Sequence, residues 1–336
     1  MLPLLGKTLA ELQDVALSVG LQKFAGKQLA EWLYVRRVTS FDEMTNISLK
    51  GREALKANYT IGRHAPVKEA VSIDGTRKYL FQIGEQFVET VYIPEEDRTT
   101  LCVSTQAGCK MGCKFCMTGT LGFHGNLSAA DILNQIFYFD DLSNLVFMGE
   151  GEPMDNLDNV LRALEIMTAP YGPAWSPKRI TVSTVGIPAM KRFLDESECH
   201  VAVSMHNPFA VERVQIMPAE KLFSITEVVN LLKQYDFSHQ RRVSFEYICW
   251  AGQNDTMRHA KELLRLLKGL NCRINLIRFH AGVEDIKNER RFPASDEKQM
   301  EFLRDYLTEH GLTTTIRRSR GEDILAACGM LVNSLQ

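Results

Sequence analysis

Three of the eight cysteines in this 336-residue chain lie in one short run. Cys109, Cys113 and Cys116 have the spacing C-x-x-x-C-x-x-C, and Phe115 precedes the last of them. Three thiolates at this spacing can wrap a loop around one face of an iron–sulfur cubane and leave one iron open to another ligand. The run therefore predicts a [4Fe–4S] centre whose open iron can act as a reagent as well as a redox store.

Zinc is the main alternative that the residues alone leave open. A structural zinc site normally takes four ligands, often from two C-x-x-C pairs. Here the fourth ligand would have to be Cys102 or His124, and no second pair is present. Disulfides suit short secreted chains, which this chain does not resemble. The run favours an iron–sulfur cluster over zinc and over a purely structural role.

The composition is that of an ordinary globular protein, with 45% hydrophobic and 24% charged residues. The formal net charge is only −2, so a surface for nucleic acid would have to be a local basic patch. No apolar run approaches the roughly 20 residues of a membrane span, and the N-terminus turns polar too early for a signal peptide. We expect a cytoplasmic protein with reduced thiols and no membrane contact.

Three regions with different periodicities follow one another along the chain. Residues 1–62 have the period of helices, and residues 63–97 have strand-like runs that predict a small antiparallel β linker. Residues 98–336 alternate between strand and helix in six units, followed by a seventh strand and a last helix from about residue 322. Such units build a parallel sheet, open or barrel-like, with its ligand site at the carboxyl ends of the strands.

Polar residues and glycines gather where the predicted strands end. They form four short segments: 149–153, 183–186, 204–208 and 278–280. The Gly-Glu-Gly-Glu-Pro turn at 149–153 would repel an anion and suits a cation such as an amino or sulfonium group. Because the carboxyl ends of parallel strands meet at one edge, we expect these segments to form one binding site.

Two groups of basic residues are candidates for phosphate contacts. The first lies late in the helical region and consists of Arg36, Arg37, Lys50, Arg52 and Lys56. An ordinary solvated helical face explains this first group equally well. The second precedes Cys328 and consists of Arg317, Arg318 and Arg320. The small neighbours of Cys328 leave its thiol reachable, and the arginines would favour its thiolate.

Taken together, the motifs resemble the RlmN/Cfr family of radical S-adenosylmethionine (SAM) RNA adenine methyltransferases over nearly the whole chain. The cysteine loop is shared by the radical-SAM superfamily, whereas LCVSTQAGC combined with a late AACG is specific to this family. Further matches are VETVYIP, FMGEGEPMDN, SMHNP, FEYICWAGQND and RRSRGEDILAACG. The resemblance implies a radical-SAM partial (β/α)6 barrel with an RNA-binding helical domain at residues 1–62.

The resemblance also implies the cofactors and their ligands. Cys109, Cys113 and Cys116 would hold the [4Fe–4S] cluster, and SAM would chelate the open iron. The residues expected to contact SAM are Gly151, Glu152, Ser183, Ser204, Met205, His206 and His280. An external electron donor such as flavodoxin or ferredoxin would reduce the cluster.

Three further residues receive roles in the reaction from the same resemblance. Cys328 would carry a methyl group as S-methylcysteine, and Cys102 would later close a transient disulfide with it. Glu89 would accept a proton. The implied reaction is methylation of an adenine at C2 in 23S ribosomal RNA, with transfer RNA as a second substrate, by a monomeric enzyme.

Other functions remain open from the sequence. Methylation at C8 would use the same residues, because the site of attack depends on how the base is posed. A non-catalytic iron–sulfur protein that binds RNA or carries electrons would need no thiol outside the loop. A radical-SAM enzyme acting on a protein or small molecule is a further alternative. Three departures from the family together indicate a divergent branch. They are Glu150 where methionine is usual, His280-Ala281 where asparagine and proline are usual, and a final ILAACGM where IDAACGQL is typical.

Overall fold

A ten-stranded sheet is the centre of the computed structural model, which describes residues 1–238, 241–280 and 292–331. Numbered along the chain with those of two small sheets, the strands are β1 (Leu2–Pro3), β2 (Tyr59–Thr60), β3 (Lys68–Val71), β4 (Arg77–Ile83), β5 (Gln86–Pro94), β6 (Thr99–Cys102), β7 (Gln106–Gly108), β8 (Phe123–Asn126), β9 (Asn144–Phe147), β10 (Ile180–Thr184), β11 (His200–Ser204), β12 (Val243–Cys249), β13 (Cys272–Arg278) and β14 (Thr314–Arg317). The order across the large sheet is β14-β13-β12-β11-β10-β9-β6-β5-β4-β3.

Helices fill the connections between the parallel strands. The α-helices are α1 (Leu9–Ser18), α2 (Ala25–Ala30), α3 (Leu49–Asn58), α4 (Met117–Thr120), α5 (Ala129–Phe137), α6 (Leu157–Thr168), α7 (Met190–Glu196), α8 (Ala210–Ile216), α9 (Ile225–Leu232), α10 (Met257–Leu267) and α11 (Glu297–Glu309). Ser128 begins α5 with a capping box, in which its hydroxyl accepts from Asp131 N and the Asp131 carboxylate accepts from Ser128 N. Within the described ranges, no helix is long and apolar enough to cross a bilayer.

The parallel part of the sheet has the winding of a barrel. β6 and β9 to β14 pair in parallel, and each strand lies beside the next parallel strand of the chain. A doubly wound sheet would instead reverse its order at a switch point. Here β6 is covered by the antiparallel β5, and β14 stands at the end of the strand order. The predicted radical-SAM partial (β/α)6 barrel is confirmed.

Strands β3, β4 and β5 differ from their prediction in one respect. They pair antiparallel, as expected, but they do not form a sheet of their own. β5 pairs with β6, with Val91 opposite Cys102, so the linker strands extend the barrel sheet. Alternation in a sequence indicates that a strand forms, but it does not reveal which edge the strand joins.

The helices before residue 62 pack directly on α5 and α6. Glu11 in α1 forms an ion pair with Arg162 in α6 at 2.7 Å, and the Tyr34 and Phe137 ring centroids lie 6.1 Å apart. A single hydrophobic core contains residues of both regions, Leu12 and Leu133 among them. The division of the chain into domains stays a prediction.

The last predicted helix, from about residue 322, does not form over residues 322–331, where the description of this segment ends. Glu322–Ile324 makes one 3-10 turn, after which Leu325 has φ of 53° and Gly329 has φ of 80°. Left-handed residues cannot continue a right-handed helix. The segment instead crosses to β4, where the Lys78 ammonium donates to the Leu325 carbonyl at 3.3 Å. This extended path brings Cys328 back towards the centre of the barrel.

Candidate active site

The three cysteines of the loop line one cavity of about 170 Å³ at the carboxyl ends of the parallel strands, which we call the cluster cavity. Backbone hydrogen bonds fix the loop: Cys109 N donates to Gly122 O at 2.8 Å, and Lys114 N donates to Ile216 O at 2.9 Å. Burial raises the pKa of the Cys109 thiol to about 12 and that of Cys113 well above its usual value. Thiols in such a place become thiolates when a metal replaces their protons.

The arrangement of the thiols suits a cluster better than a single ion. In the parts of the chain that the structure describes, no three Cys, His, Asp or Glu side chains converge as one ion would require. A multi-iron cluster needs no such convergence, because each thiolate binds its own iron. His124, the candidate fourth ligand for zinc, lies outside the lining of this cavity, and its ring contacts the Leu121 carbonyl at 3.0 Å. The donor set therefore fits a [4Fe–4S] cluster.

Five of the seven residues predicted to contact SAM line this same cavity. They are Gly151, Glu152, Ser183, Ser204 and His206. Gly151 has φ of 95°, and a Cβ there would lie 2.5 Å from Gln106 Cβ, so only glycine fits this wall. Met205 is fully buried in the hydrophobic core instead. The ligand contacts themselves stay predictions.

Glu152 joins the ends of two strands while it faces the cavity. Its carboxylate accepts from Val185 N at 2.8 Å and from Met154 N at 3.1 Å. Burial raises the pKa of this carboxyl to about 7 despite those hydrogen bonds. A cationic ligand in the cavity would favour the ionised form, so Glu152 is suited to the amino group of SAM.

His206 presents a neutral N–H donor to the cavity. It has φ of 56°, and its Nδ1 accepts from Ile248 N at 3.0 Å, which leaves the proton on Nε2. Burial lowers the pKa of the ring to about 3. Phe115 of the cysteine loop packs edge-on against the ring with centroids 4.7 Å apart. The ring is therefore held in one tautomer beside the loop.

Arg213 organises this rim and was not singled out from the sequence. It is fully buried, forms an ion pair with Glu220, and donates to the carbonyls of Val185, Ser204 and Met205 at 2.6, 2.8 and 2.9 Å. One guanidinium thus fixes the ends of β10 and β11 together.

Cys102 and Cys328 line the same cavity as the three loop cysteines. Two hydrogen bonds hold the Cys328 segment over the loop: Met117 N donates to Gly329 O at 2.8 Å, and the Thr118 hydroxyl donates to Leu331 O at 2.8 Å. Burial raises the pKa of the Cys102 thiol to about 12, and the nearby charge of Cys328 raises it further. The two thiols therefore share one site, which sequence reasoning could not establish.

Arg317, at the end of β14, supplies a positive charge beside these thiols. The charge of Cys328 is the main cause that raises the pKa of this guanidinium. Arg317 Nη1 also lies 3.5 Å from Glu246 Oε2 and 3.5 Å from Met148 Sδ. Of the arginine cluster, Arg317 is thus the residue whose charge lies beside Cys328. The expected influence of the cluster on this thiol stays a prediction.

A second cavity, of about 480 Å³, lies on the other side of Cys328. It runs between residues at the amino ends of β9 to β13, and Cys328, Arg317 and Glu246 line both cavities. We call it the basic cavity, because its wall contains the side chains of Arg98, His200, Arg242, Arg273, Arg318 and Arg320. Arg98 and Arg320 pair with Glu95 and Asp74, and burial lowers the pKa of His200 to about 4, so the charge comes mainly from the other three. Of the basic residues in this wall, only Arg318 and Arg320 were indicated by the sequence, because the others are scattered along the chain and meet only when the strands align.

Known proteins match this chain along its whole length. The family model of the ribosomal RNA large subunit methyltransferase N-terminal domain matches residues 2–61, and that of the radical SAM superfamily matches residues 103–267. A probable dual-specificity RNA methyltransferase RlmN of Bacteroides thetaiotaomicron is 59% identical, with 99% of this chain and 97% of that protein aligned. The dual-specificity RNA methyltransferase RlmN of Geobacter sulfurreducens is 39% identical over 100% of this chain and 93% of its own.

The chain belongs to the RlmN family of radical-SAM methyltransferases. The crystal structure of a radical SAM methyltransferase from Sphaerobacter thermophilus agrees, with a TM-score of 0.91 at 34% identity, covering 98% of this chain and 99% of that one. The family resemblance seen in the motifs is confirmed, and so is the enzyme class. Membership of the radical-SAM superfamily implies a [4Fe–4S] cluster and SAM, which the donor set above fits.

Besides Met205, two further positions predicted from the family resemblance, His280 and Glu89, lie outside the cluster cavity. His280 lines the basic cavity instead, where its Nε2 lies 2.6 Å from Ser319 Oγ and its Nδ1 3.3 Å from Glu322 Oε2. Glu89 is fully buried, and its Oε1 lies 2.9 Å from the Lys78 ammonium. Neither of the two cavities has Glu89 in its described lining. Their roles stay predictions.

Glu150, which stands where the family usually has methionine, turns away from the cluster cavity. It is 1% exposed, and its Oε1 accepts from Glu89 N at 2.8 Å while its Oε2 accepts from Gly108 N at 3.4 Å. The side chain therefore connects β5 to the residue that precedes Cys109. Burial raises the pKa of this carboxyl to about 8. The Glu150 carboxylate therefore binds backbone N–H groups behind the cysteine loop and does not face the ligand cavity.

Glu150 should make stability depend on pH. Because its pKa in the folded protein is raised above its ordinary value of 4.5 to about 8, its contribution is fully present below pH 4.5 and is lost as pH rises through 8. Over this window the unfolding free energy of the wild type should fall by about 2–5 kcal/mol relative to E150M. Urea unfolding of the cluster-free proteins measures the difference, with E309Q as an exposed-carboxylate control. Parallel pH curves for wild type and E150M would refute the assignment.

The basic residues of the N-terminal helices are largely neutralised. Arg36 pairs with Glu31 at 2.9 Å, and Arg37 pairs with Asp140 at 3.3 Å. Lys56 contacts Asp42 and Glu53 at 2.7 and 3.0 Å, and Arg52 donates to the Asp42 carbonyl at 2.8 Å. These pairings favour the interpretation of an ordinary solvated face over a phosphate-binding surface.

Proposed function

We propose that the protein methylates C2 of an adenine in 23S ribosomal RNA, with a transfer RNA adenine as a second substrate, and that Cys328 carries the methyl group. The observation that supports this most is the position of Cys328 between the cysteine-lined cavity and the basic cavity. Relatives of this chain are named dual-specificity RNA methyltransferases. Such a reaction needs a group that takes the methyl group from SAM and passes it to the RNA base, and Cys328 lies between the two cavities where these would bind.

The chemistry requires a carrier because an adenine amidine carbon is electron-poor and cannot attack a methyl donor. When bound, the cluster and SAM supply the methyl group and the radical that abstracts hydrogen from it. Cys328, with the Arg317 guanidinium beside it, is the nucleophile that accepts the methyl group. The carbon, after losing one hydrogen, bonds to the adenine carbon while still attached to the Cys328 sulfur. The Cys102 thiolate then attacks that sulfur, the S–C bond breaks with its electron pair on the carbon, the carbon takes up a proton to complete the methyl group, and a Cys102–Cys328 disulfide remains. An external reductant restores both thiols.

Glu89 is the proposed acceptor of the ring proton. The Lys78 ammonium lies 2.9 Å from its carboxylate and donates to the Leu325 carbonyl in the segment that leads to Cys328. Lys78 thus connects the buried acid to the segment that carries Cys328. Neither cavity has Glu89 in its described lining, so the ring proton would reach it through intervening groups rather than by direct contact with the adenine.

The target base would enter through the basic cavity, with the RNA phosphates over its mouth. Among the described residues, Arg242 and Arg273 have no carboxylate partner, so their charges are available. Recognition of a base in RNA by an enclosed site requires the base to leave its stack. Flavodoxin or ferredoxin as the electron donor, and the monomeric state, stay predictions.

Removing Arg242 or Arg273 should weaken RNA binding and its dependence on salt. Each R→A change is expected to reduce the slope of log affinity against log salt by about one, because one phosphate contact is lost. Filter binding of a 23S RNA fragment between low and physiological salt measures this slope. R36A, which removes a charge already paired with Glu31, is the matched control. A larger effect of R36A than of R242A would place the RNA on the helical domain instead.

C8 methylation is the closest alternative, and the same residues would perform it. Digestion of RNA methylated by the reconstituted enzyme, followed by mass spectrometry against both methyladenosine standards, separates the two products. A non-catalytic RNA-binding or electron-carrying protein is the alternative of another class. That alternative gives no reason for two thiols beside the loop, whereas Cys102 and Cys328 both line its cavity.

A further inference from the structure

Glu246 is a buried acid that lines both cavities. It lies on β12, where alternation places Ser244, Glu246 and Ile248 on one face of the strand. It is only 4% exposed, yet it lines the cluster cavity and the basic cavity beside Cys328. No other acid lines both cavities among the described residues.

The two carboxylate oxygens of Glu246 have different surroundings. Oε1 accepts from Asn275 Nδ2 at 2.7 Å and from Ser244 Oγ at 3.1 Å, which fixes the orientation of the side chain. Oε2 is buried and receives no hydrogen bond from the described residues. The nearest cation, Arg317 Nη1, lies 3.5 Å away without hydrogen-bond geometry. The ion pair with Arg317 compensates the buried charge, but it leaves Oε2 without a well-aligned donor, so this oxygen keeps acceptor capacity for a donor that arrives with a ligand.

We propose that Glu246 Oε2 accepts a hydrogen bond from the exocyclic amino group of the target adenine, and so selects adenine over other purines. The inference rests on the proposed function, since it assumes that the base reaches Cys328 through the basic cavity. A carboxylate is an acceptor only. It attracts the amino group of adenine and repels the carbonyl oxygen that guanine and hypoxanthine carry at the same position.

The placement also agrees with attack at C2. The amino group is attached to C6, and C6 and C2 both flank N1 in the six-membered ring. An acceptor of the amino proton on the N1 side therefore holds the Watson–Crick edge of the base, next to C2. The five-membered ring, which contains C8, lies farther from this edge.

The test compares RNA hairpins that differ in a single base. One carries adenosine at the target position, one purine riboside, which lacks the amino group, and one inosine, which has a carbonyl there. All three keep hydrogen at C2. For the cluster-reconstituted wild type, adenosine RNA should bind about 10- to 100-fold more tightly than purine RNA in competition, and inosine RNA should bind least tightly, since one hydrogen bond to a charged acceptor is at stake.

E246Q should bring the adenosine-to-purine ratio close to one, and inosine RNA should gain, because the glutamine amide can donate to a carbonyl. E95Q is the matched control: Glu95 lines the mouth of the basic cavity but already bonds Arg98, so the wild-type ratio should persist. Circular dichroism and iron content show whether E246Q is folded.

Two results would overturn the proposal. Wild-type protein that binds adenosine and purine hairpins equally well contradicts it without any variant. A folded E246Q that keeps the wild-type ratio assigns Glu246 to positioning Arg317 alone. Because the readout is competition binding, it separates this inference from the proposed function: discrimination without methylation would refute the latter only.

Discussion

C328A is expected to reduce RNA methylation by about 10³-fold or more, since the variant lacks the nucleophile that forms the covalent intermediate. The thiol lies between the two cavities and beside Arg317, so no other described cysteine apart from Cys102 can replace it. The cluster ligands are untouched, and iron content should therefore equal that of the wild type. Transfer of label from methyl-labelled SAM to an RNA fragment measures the loss.

C272A is the matched control for this experiment. Cys272 lies at the start of β13, is partly exposed, and lines neither cavity. Its removal should change methylation by no more than about two-fold. Methylation by C328A at the level of C272A would show that the carbon is never attached to Cys328, and the two-thiol route would be wrong.

C102A is expected to leave RNA covalently attached to the protein. Without the second thiol, no group displaces the Cys328 sulfur from the carbon that has joined the adenine, so the thioether persists. Each protein molecule then reacts at most once, and turnover falls to background. Denaturing electrophoresis of labelled RNA with the reconstituted variant should show a band that resists boiling and disappears after ribonuclease treatment.

The double variant C102A/C328A controls for this adduct, because it lacks the carrier and should form none. Cys102 is buried in a small cluster with Val91 and Ala326. Replacing it with alanine removes one sulfur atom and leaves a smaller cavity than truncation of a leucine or isoleucine would, so C102A should fold. Release of free methylated RNA by C102A at the wild-type rate would remove Cys102 from the reaction.

The local part of this site could be predicted from the sequence. The spacing of Cys109 to Cys116 is fixed by the ligand geometry of one loop, so it can be recognised without a fold. The strand–helix alternation predicted the barrel, and strand ends in a barrel must share an edge. That rule is why Gly151, Ser183 and Ser204 were expected together, and they line one cavity.

Long-range features could not be predicted in the same way. Cys102 and Cys328 come together because the final segment crosses to β4 and over the loop, which depends on the left-handed Leu325 rather than on any periodicity. Glu246 and Arg242 face the cavities only through the register of β12 with its neighbours. The direction of the Glu150 side chain depends on a hydrogen bond to β5, a strand distant in the sequence.

The central claim is that this chain methylates C2 of an RNA adenine with Cys328 as the carrier. Its most direct test is mass spectrometry of nucleosides from the ribosomal and transfer RNA of cells that lack the gene and carry either the wild-type or the C328A protein. The account predicts 2-methyladenosine with the wild type and none with C328A. Appearance of 8-methyladenosine, or equal 2-methyladenosine in both strains, would contradict it.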